Sequence, residues 1–237
     1  MSKRFIEADI KLAILNNKDV FSDIGESVVV FEKAIMRGRT IMDALICSKN
    51  KGVIGIEIKT ERDSTQRLNK QLKDYEKVCD YVYVLCHDSH VEKVEAILKK
   101  YQHNHVGVIA YINFKDTAFL GMYKEAYKSP YKDVYHTLDV LWKQEILTLL
   151  GSLKHYVRRV AEETDLRGDS LRNRTGGVRD FSTQSMYTNR STKGQLIREL
   201  ITRFGEHEAN NIFCNVFINN THSPDKSITI RHFKKDD

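Results

Sequence analysis

The sequence is poor in cysteine and has no long apolar run. Its four cysteines are Cys47, Cys79, Cys86 and Cys214, and none of them is part of a C-x-x-C motif typical of zinc or redox sites. Most lie within apolar segments, where a free cysteine behaves as a small hydrophobic residue, so buried thiols are favoured. No segment resembles a signal peptide or is long enough to cross a bilayer. These absences predict a soluble cytoplasmic protein.

Basic residues are in excess and are concentrated near the C-terminus. The formal net charge is +6, and residues 151–203 contain eleven basic and six acidic residues, which leaves +5 in that segment. Most of these bases are arginines, whose planar head groups suit phosphate. The excess of positive charge fits a nucleic-acid partner, and on charge alone a solvated, mobile surface would explain this segment equally well. The arginines of this segment that we assign to nucleic-acid contact are Arg158, Arg159, Arg172, Arg174 and Arg179.

A hairpin in the first third of the chain contains the most informative polar residues. Segments 40–47 and 53–60 are rich in β-branched residues and are separated by the turn-forming sequence SKNKG. Because alternate residues of a strand share a face, Glu57 and Lys59 project together, and Asp43 on the neighbouring strand can reach the same surface. Two carboxylates beside an ammonium group suit Mg²⁺, which can activate water for attack on a phosphodiester.

The remaining pattern predicts alternating helices and strands. Three helices are expected: one at 4–17, one that begins after residue 64, and one from residue 89 or 90 to residue 100. Strands are expected at 27–34, 81–86 and 105–112. This order predicts an α/β fold with a mixed central sheet flanked by helices and a mainly helical C-terminal extension. We divide the chain into a core (1–115), a connector and helix (116–150), and a basic C-terminal region (151–237) with a flexible Arg-rich loop at about 166–191.

Tyrosines alternate with lysines between residues 115 and 133. Such a segment can stack bases and hold a phosphate backbone, or it can be an amphipathic docking segment. A helix is expected at 137–150, and two more at 193–204 and from 206 to 219.

Several motifs resemble a known family. The hairpin resembles the D-(x)n-E-x-K pattern of the PD-(D/E)xK nuclease superfamily, with Met42 in place of the proline that many members also lack. The series from IEIKTERDS (56–64) through RLNKQLKDY (67–75) to DYVYV (80–84) resembles the sce7726 family, a bacterial and phage branch of that superfamily. Segments 5–11 and 140–147 also resemble family elements, so the resemblance covers about residues 4–150.

The resemblance implies a restriction-endonuclease-like core and a metal-dependent nuclease, a hydrolase that uses Mg²⁺ or Mn²⁺ to cut DNA. It would act in DNA processing, repair or phage–host conflict. Asp43, Glu57 and the backbone carbonyl of Ile58 would bind the metal, and Lys59 would position the attacking water. The residues with supporting roles are Glu7 and Gln71 in catalysis, and Arg37, Arg39, Arg67 and Tyr75 in nucleic-acid binding.

Other interpretations stay open at the level of sequence. The chain could be a non-catalytic nucleic-acid-binding or inhibitory protein on a nuclease scaffold, or an α/β protein in which Glu57 forms structural salt bridges with Lys59 or Arg67. Tyr75 could be a core residue, and Glu7 could be a surface partner of Lys11. DNA is the expected partner and RNA an alternative, while strand preference, endonuclease or exonuclease action, and oligomeric state are not determined.

Overall fold

Seven strands form one mixed sheet in the computed structural model, which describes residues 4–151, 191–219 and 230–234. The strands are β1 (Ser27–Ile35), β2 (Thr40–Ser48), β3 (Gly52–Lys59), β4 (Tyr81–His87), β5 (Gly107–Phe114), β6 (Thr117–Lys124) and β7 (Ile230–His232). The helices are α1 (Glu7–Asn16), α2 (Leu68–Val78), α3 (Val91–Lys100), α4 (Val134–Leu138), α5 (described over 143–151) and α6 (Lys193–Ile218). The predicted α/β fold with a helical C-terminal segment is confirmed.

The strand order is β6-β5-β4-β3-β2-β1-β7. Strands β3, β4 and β5 are parallel to one another, whereas every other neighbouring pair is antiparallel. The parallel pairs follow from the helical crossovers α2 and α3, because parallel neighbours cannot be joined by a tight turn. The central strand β4 is apolar along nearly its whole length, as expected for a strand that is covered on both faces.

Two apolar clusters lie on opposite faces of this sheet. On one face, α1 packs through Ile10 and Ile14 against the alternate isoleucines of β3. On the other face, Leu72 of α2, Val94 of α3 and Leu200 of α6 belong to a single larger cluster. All four cysteines are free and buried, which confirms the expectation of buried thiols.

Some elements differ from the prediction. The segment predicted as a connector after residue 115 contains β6, which pairs with β5 through a two-residue turn at Lys115 and Asp116. Both turn residues have positive φ, as a tight hairpin requires, but neither is the Asn or Gly that usually signals it. The helix predicted at 137–150 is instead two helices, α4 and α5. β7 was not predicted, and it pairs with β1.

The two predicted C-terminal helices are present as the two halves of α6. Gly205 has φ +74° and ψ 166° and interrupts the helical conformation between them. Among the described residues, no helix is both long and apolar enough to cross a membrane. Most of the predicted Arg-rich loop at 166–191 lies outside the described residues.

Asp80, just before β4, joins the sheet to the C-terminal part of the chain. Its carboxylate accepts hydrogen bonds from the backbone N–H of Val53 (2.8 Å) and the side-chain amide of Asn210 in α6 (3.0 Å). It also forms an ion pair with Lys132, whose ammonium group donates to Asn210 at 2.6 Å. The side chains of both charged residues are more than nine-tenths buried. This network fixes the segment after β6, together with α6, against the sheet.

Substitution Asp80→Ala should lower the free energy of unfolding by about 3–5 kcal/mol, because it leaves the buried ammonium group of Lys132 without its counter-ion. Urea unfolding monitored by circular dichroism measures the change. The control Glu26→Ala removes a carboxylate from the exposed Lys49–Glu26 pair and should have a far smaller effect. Equal losses in the two variants would contradict the assigned role of Asp80.

Candidate active site

The register of the β2–β3 hairpin brings the predicted polar residues together. The ladder between the strands ends with Ala44 opposite Ile56, so one further step along both strands places Asp43 across from Glu57. Lys59 follows two residues later and therefore shares a face with Glu57. The side chains converge below α2, which crosses this face of the sheet.

The face alternation of β2 reverses at Asp43. Met42 and Leu45 both belong to the apolar cluster on the α2 side, whereas Ala44 belongs to the cluster on the α1 side. Glu32, which lies across from Asp43 in the β1–β2 register, has φ +54°, and these two residues do not pair. Non-glycine residues in this left-handed region cost about 1–3 kcal/mol and are concentrated at functional sites. The irregularity redirects Asp43 out of regular strand alternation.

Glu57 is completely buried and has a donor on each carboxylate oxygen. Lys59 Nζ lies 2.5 Å from Oε1, and the hydroxyl of Tyr75 donates to Oε2 at 2.5 Å. Gln71 accepts a longer hydrogen bond of 3.4 Å from Lys59 Nζ. Gln71 and Tyr75 reach the site together because residues four apart share one helical face. These contacts fix the orientation of the Glu57 carboxylate.

Tyr75 is a core residue whose hydroxyl group contacts the site. Its ring is fully buried, and its hydroxyl also accepts the backbone N–H of Asp43 at 3.1 Å. Burial, followed by the negative charge of Glu57, raises the pKa of Tyr75, so the phenol stays protonated and able to donate. This placement corrects the prediction of Tyr75 as a nucleic-acid contact, because a fully buried ring has no surface on which a base could stack.

The side chain of Asp43 has a strongly raised pKa. Its pKa is raised to about 7, mainly by burial and secondly by the negative charge of Glu57. The backbone N–H of Ile58, which donates to Asp43 Oδ2 at 2.7 Å, and the charge of Lys59 act in the opposite direction. A buried carboxylate whose pKa is raised by a second negative charge marks an electrostatic environment that a cation would stabilise.

The donor set fits one hard cation with an incomplete protein shell. The described residues contain no group of three or more His, Cys, Asp or Glu side chains able to hold a metal ion. Mg²⁺ commonly takes only one or two carboxylates and completes its octahedron with water and phosphate oxygens. Asp43, Glu57 and the carbonyl of Ile58 therefore match Mg²⁺ in number and type of ligand.

Glu7 forms the predicted pair with Lys11, and its charge also acts on Asp43. Its carboxylate lies 2.7 Å from Lys11 Nζ, as expected of a surface pair in α1. It also lies near enough to Asp43 for its charge to raise the pKa of that residue. Lys11 bridges from Glu7 to Glu32 at 2.7 Å, which connects α1 to the irregular residue of β1. Glu32 is not predicted from the sequence as part of the site. The one indication in the sequence is that a charged residue interrupts the apolar strand β1 at this position.

The arginines assigned to nucleic acid are placed differently from one another. Arg39 forms a bidentate ion pair with buried Asp74, and Arg37 lies 3.5 Å from Asp139. Both arginines are therefore held by an acidic partner, while about half or more of each arginine side chain stays exposed. Arg67 is exposed at the start of α2. Those assigned nearer the C-terminus, Arg158, Arg159, Arg172, Arg174 and Arg179, lie outside the described residues.

The described chain is thus an α/β protein with a pair of carboxylates and a lysine at the end of a central hairpin. It belongs to the family described as bacteriophage P4 protein cII, whose family model matches residues 1–199. No curated protein matches the sequence.

Two solved structures are similar at a low level. A protein of unknown function from Silicibacter pomeroyi, SPO1766, is 13% identical with a TM-score of 0.37, over 67% of this chain and 90% of that one. Pyrococcus furiosus SfsA, solved in complex with Ca²⁺, is 14% identical with a TM-score of 0.33, over 51% and 63%. Neither similarity is close enough to transfer a residue role or an activity.

The acidity of Asp43 predicts a pH-dependent stability. The pKa of Asp43 is about 7 in the folded state, against an ordinary value of 3.8. The protonated carboxyl group therefore adds to the free energy of unfolding, fully below pH 3.8 and progressively less as the pH rises towards 7. Asp43→Asn keeps an acceptor for Ile58 but does not ionise. In EDTA, the stability of this variant relative to wild type should rise by up to about 1.4 kcal/mol per pH unit between these two values. Urea unfolding at several pH values measures this difference, and a constant difference would contradict it.

Proposed function

We propose that this protein is a Mg²⁺-dependent deoxyribonuclease, active also with Mn²⁺, that acts in the cytoplasm in DNA processing, repair or phage–host conflict. The observation that carries the proposal is the apposition of Asp43 and Glu57, with the pKa of Asp43 raised to about 7, beside Lys59. This constellation agrees with the resemblance of the hairpin and α2 to the sce7726 branch of the PD-(D/E)xK superfamily. The phage family to which the chain belongs is compatible with the proposed setting.

The chain's own residues have distinct tasks in this proposal. A Mg²⁺ ion held by Asp43, Glu57 and the Ile58 carbonyl would supply Lewis acidity to water and to the scissile phosphate. Lys59 would orient the attacking water and stabilise negative charge that develops on the phosphate. Gln71 would restrain the ammonium group of Lys59.

The main experiment compares wild type, Asp43→Ala and Lys59→Ala on linear, circular and single-stranded DNA with Mg²⁺, Mn²⁺ or EDTA. Wild type should cleave only with metal, and each substitution should lower the rate by about 100-fold or more. The controls Glu26→Ala and Lys49→Ala likewise remove one carboxylate and one ammonium group, but at an exposed pair, and should cleave normally. Cleavage of circular DNA would identify an endonuclease, whereas cleavage restricted to linear DNA would identify an exonuclease.

A second candidate function is a non-catalytic nucleic-acid-binding or inhibitory protein on the same scaffold. The observation in its favour is that both oxygens of Glu57 already have donors, Lys59 and Tyr75, which is what a structural ion pair requires. DNA or RNA binding that needs no metal, with every substrate left intact under both metals, would replace the nuclease proposal with this one.

Tyr75→Phe should lower the cleavage rate by about 10- to 100-fold, because the lost hydroxyl contributes a charge-assisted hydrogen bond to Glu57. The matched control is Tyr83→Phe, which removes a buried hydroxyl that donates to Glu125 at 3.1 Å, away from the site. Single-turnover kinetics with Mg²⁺ measures both variants. Equal rates for the two variants would show that Tyr75 only fills space in the core.

A further inference from the structure

The solvent-facing side of α2 carries positive charge alone. Lys70, Lys73 and Lys77 are exposed, whereas the two acidic residues of this helix, Asp74 and Glu76, are 3% and 2% exposed. None of the three ammonium groups forms an ion pair with the residues that the structure describes. We call these three lysines the α2 basic stripe. Neighbouring α3 differs, because its exposed surface mixes acidic and basic residues.

The acids of α2 lie on the inner side of the helix, where each has buried hydrogen-bond partners, and they are not part of the solvent-facing stripe. Asp74 pairs with Arg39 and accepts from the hydroxyl of Thr40 at 2.5 Å. Glu76 contacts two histidines, His103 and His105, whose hydrogen bonds outweigh the opposing effect of burial and lower its pKa. The cationic field of the stripe is therefore directed at solvent.

The stripe runs along the outer side of the helix whose inner side covers the candidate active site. Residues three and seven apart lie along one side of a helix, and at 1.5 Å per residue the stripe extends over roughly 10 Å. Lys70 directly precedes Gln71, which accepts a hydrogen bond from Lys59 in the site. A polyanion bound along the stripe would therefore lie on the same helix that contributes Gln71 and Tyr75 to the site.

The lysines near the start of α2 oppose helix formation, whereas Lys77 in the last turn favours it. Its first turn contains no acidic residue, and no side chain caps its N-terminus. Lysine near the N-terminus interacts unfavourably with the helix dipole, and lysines three or four apart repel each other. A bound polyanion would relieve both effects at once.

We propose that the α2 basic stripe binds the phosphate backbone of the nucleic acid that is presented to the candidate active site. The identity of the polyanion rests on the proposed function. The contact is electrostatic and independent of base sequence, so it should appear mainly in the salt dependence of binding.

The test is binding of a fluorescent DNA duplex, in EDTA, to the full chain with Lys70→Gln, Lys73→Gln and Lys77→Gln combined. The matched control combines Lys93→Gln, Lys99→Gln and Lys100→Gln on α3, which removes the same charge. Anisotropy titrations over a range of KCl give the slope of log K against log salt. The α2 variant should lose about 2–3 units of this slope and bind about tenfold or more weakly near 0.1 M salt, whereas the control should change little.

Equal changes in the two triple variants, or no change in either, would overturn the inference and leave nuclease activity to be judged by cleavage alone. Binding that depends on the stripe without any cleavage would support the inference and overturn the nuclease proposal. An RNA duplex of the same sequence, titrated in parallel, identifies which backbone the stripe prefers. Circular dichroism confirms folding of both variants, since glutamine and lysine have similar helix propensities.

Discussion

The buried carboxylate of Glu57 is the constraint on which the candidate site depends. A charge removed from water must be paired and hydrogen-bonded, and Lys59 and Tyr75 meet this requirement from the same strand and from α2. Asp43 then lies next to a negative charge that is held in place, and this proximity adds to the effect of burial on its acidity. In the proposed nuclease, a cation bound beside Asp43 and Glu57 would relieve this repulsion.

The hairpin obtains this geometry by departing from regular strand structure. Met42 and Ala44, which flank Asp43 and would share a face in a regular strand, lie on opposite faces of the sheet. Glu32, which lies across from Asp43, adopts a left-handed backbone conformation. The hydroxyl of Tyr75 accepts a hydrogen bond from the backbone N–H of Asp43 in β2 and donates one to Glu57 in β3, so a single side chain contacts both strands of the site. An irregular pair of strands and one buried tyrosine therefore position the two carboxylates together.

Helix α2 has two chemically different sides. Its inner side contributes Gln71 and Tyr75 to the site and buries two hydrogen-bonded acids, whereas the charged residues of its outer side are all lysines. In the proposed nuclease, one helix would thus orient the catalytic groups and also guide the phosphate backbone towards them. A mixed-charge surface helix such as α3 does not combine these properties.

The sequence by itself determined the alternation of helices and strands, the hairpin, and the shared face of Glu57 and Lys59, because these follow from local periodicity. It did not predict β6, since a turn of Lys115 and Asp116 lacks the usual signal. Only the tertiary structure decided the burial of Tyr75, the reversal at Asp43 and the inward direction of the α2 acids. Those features depend on partners distant in the chain, which no local pattern specifies.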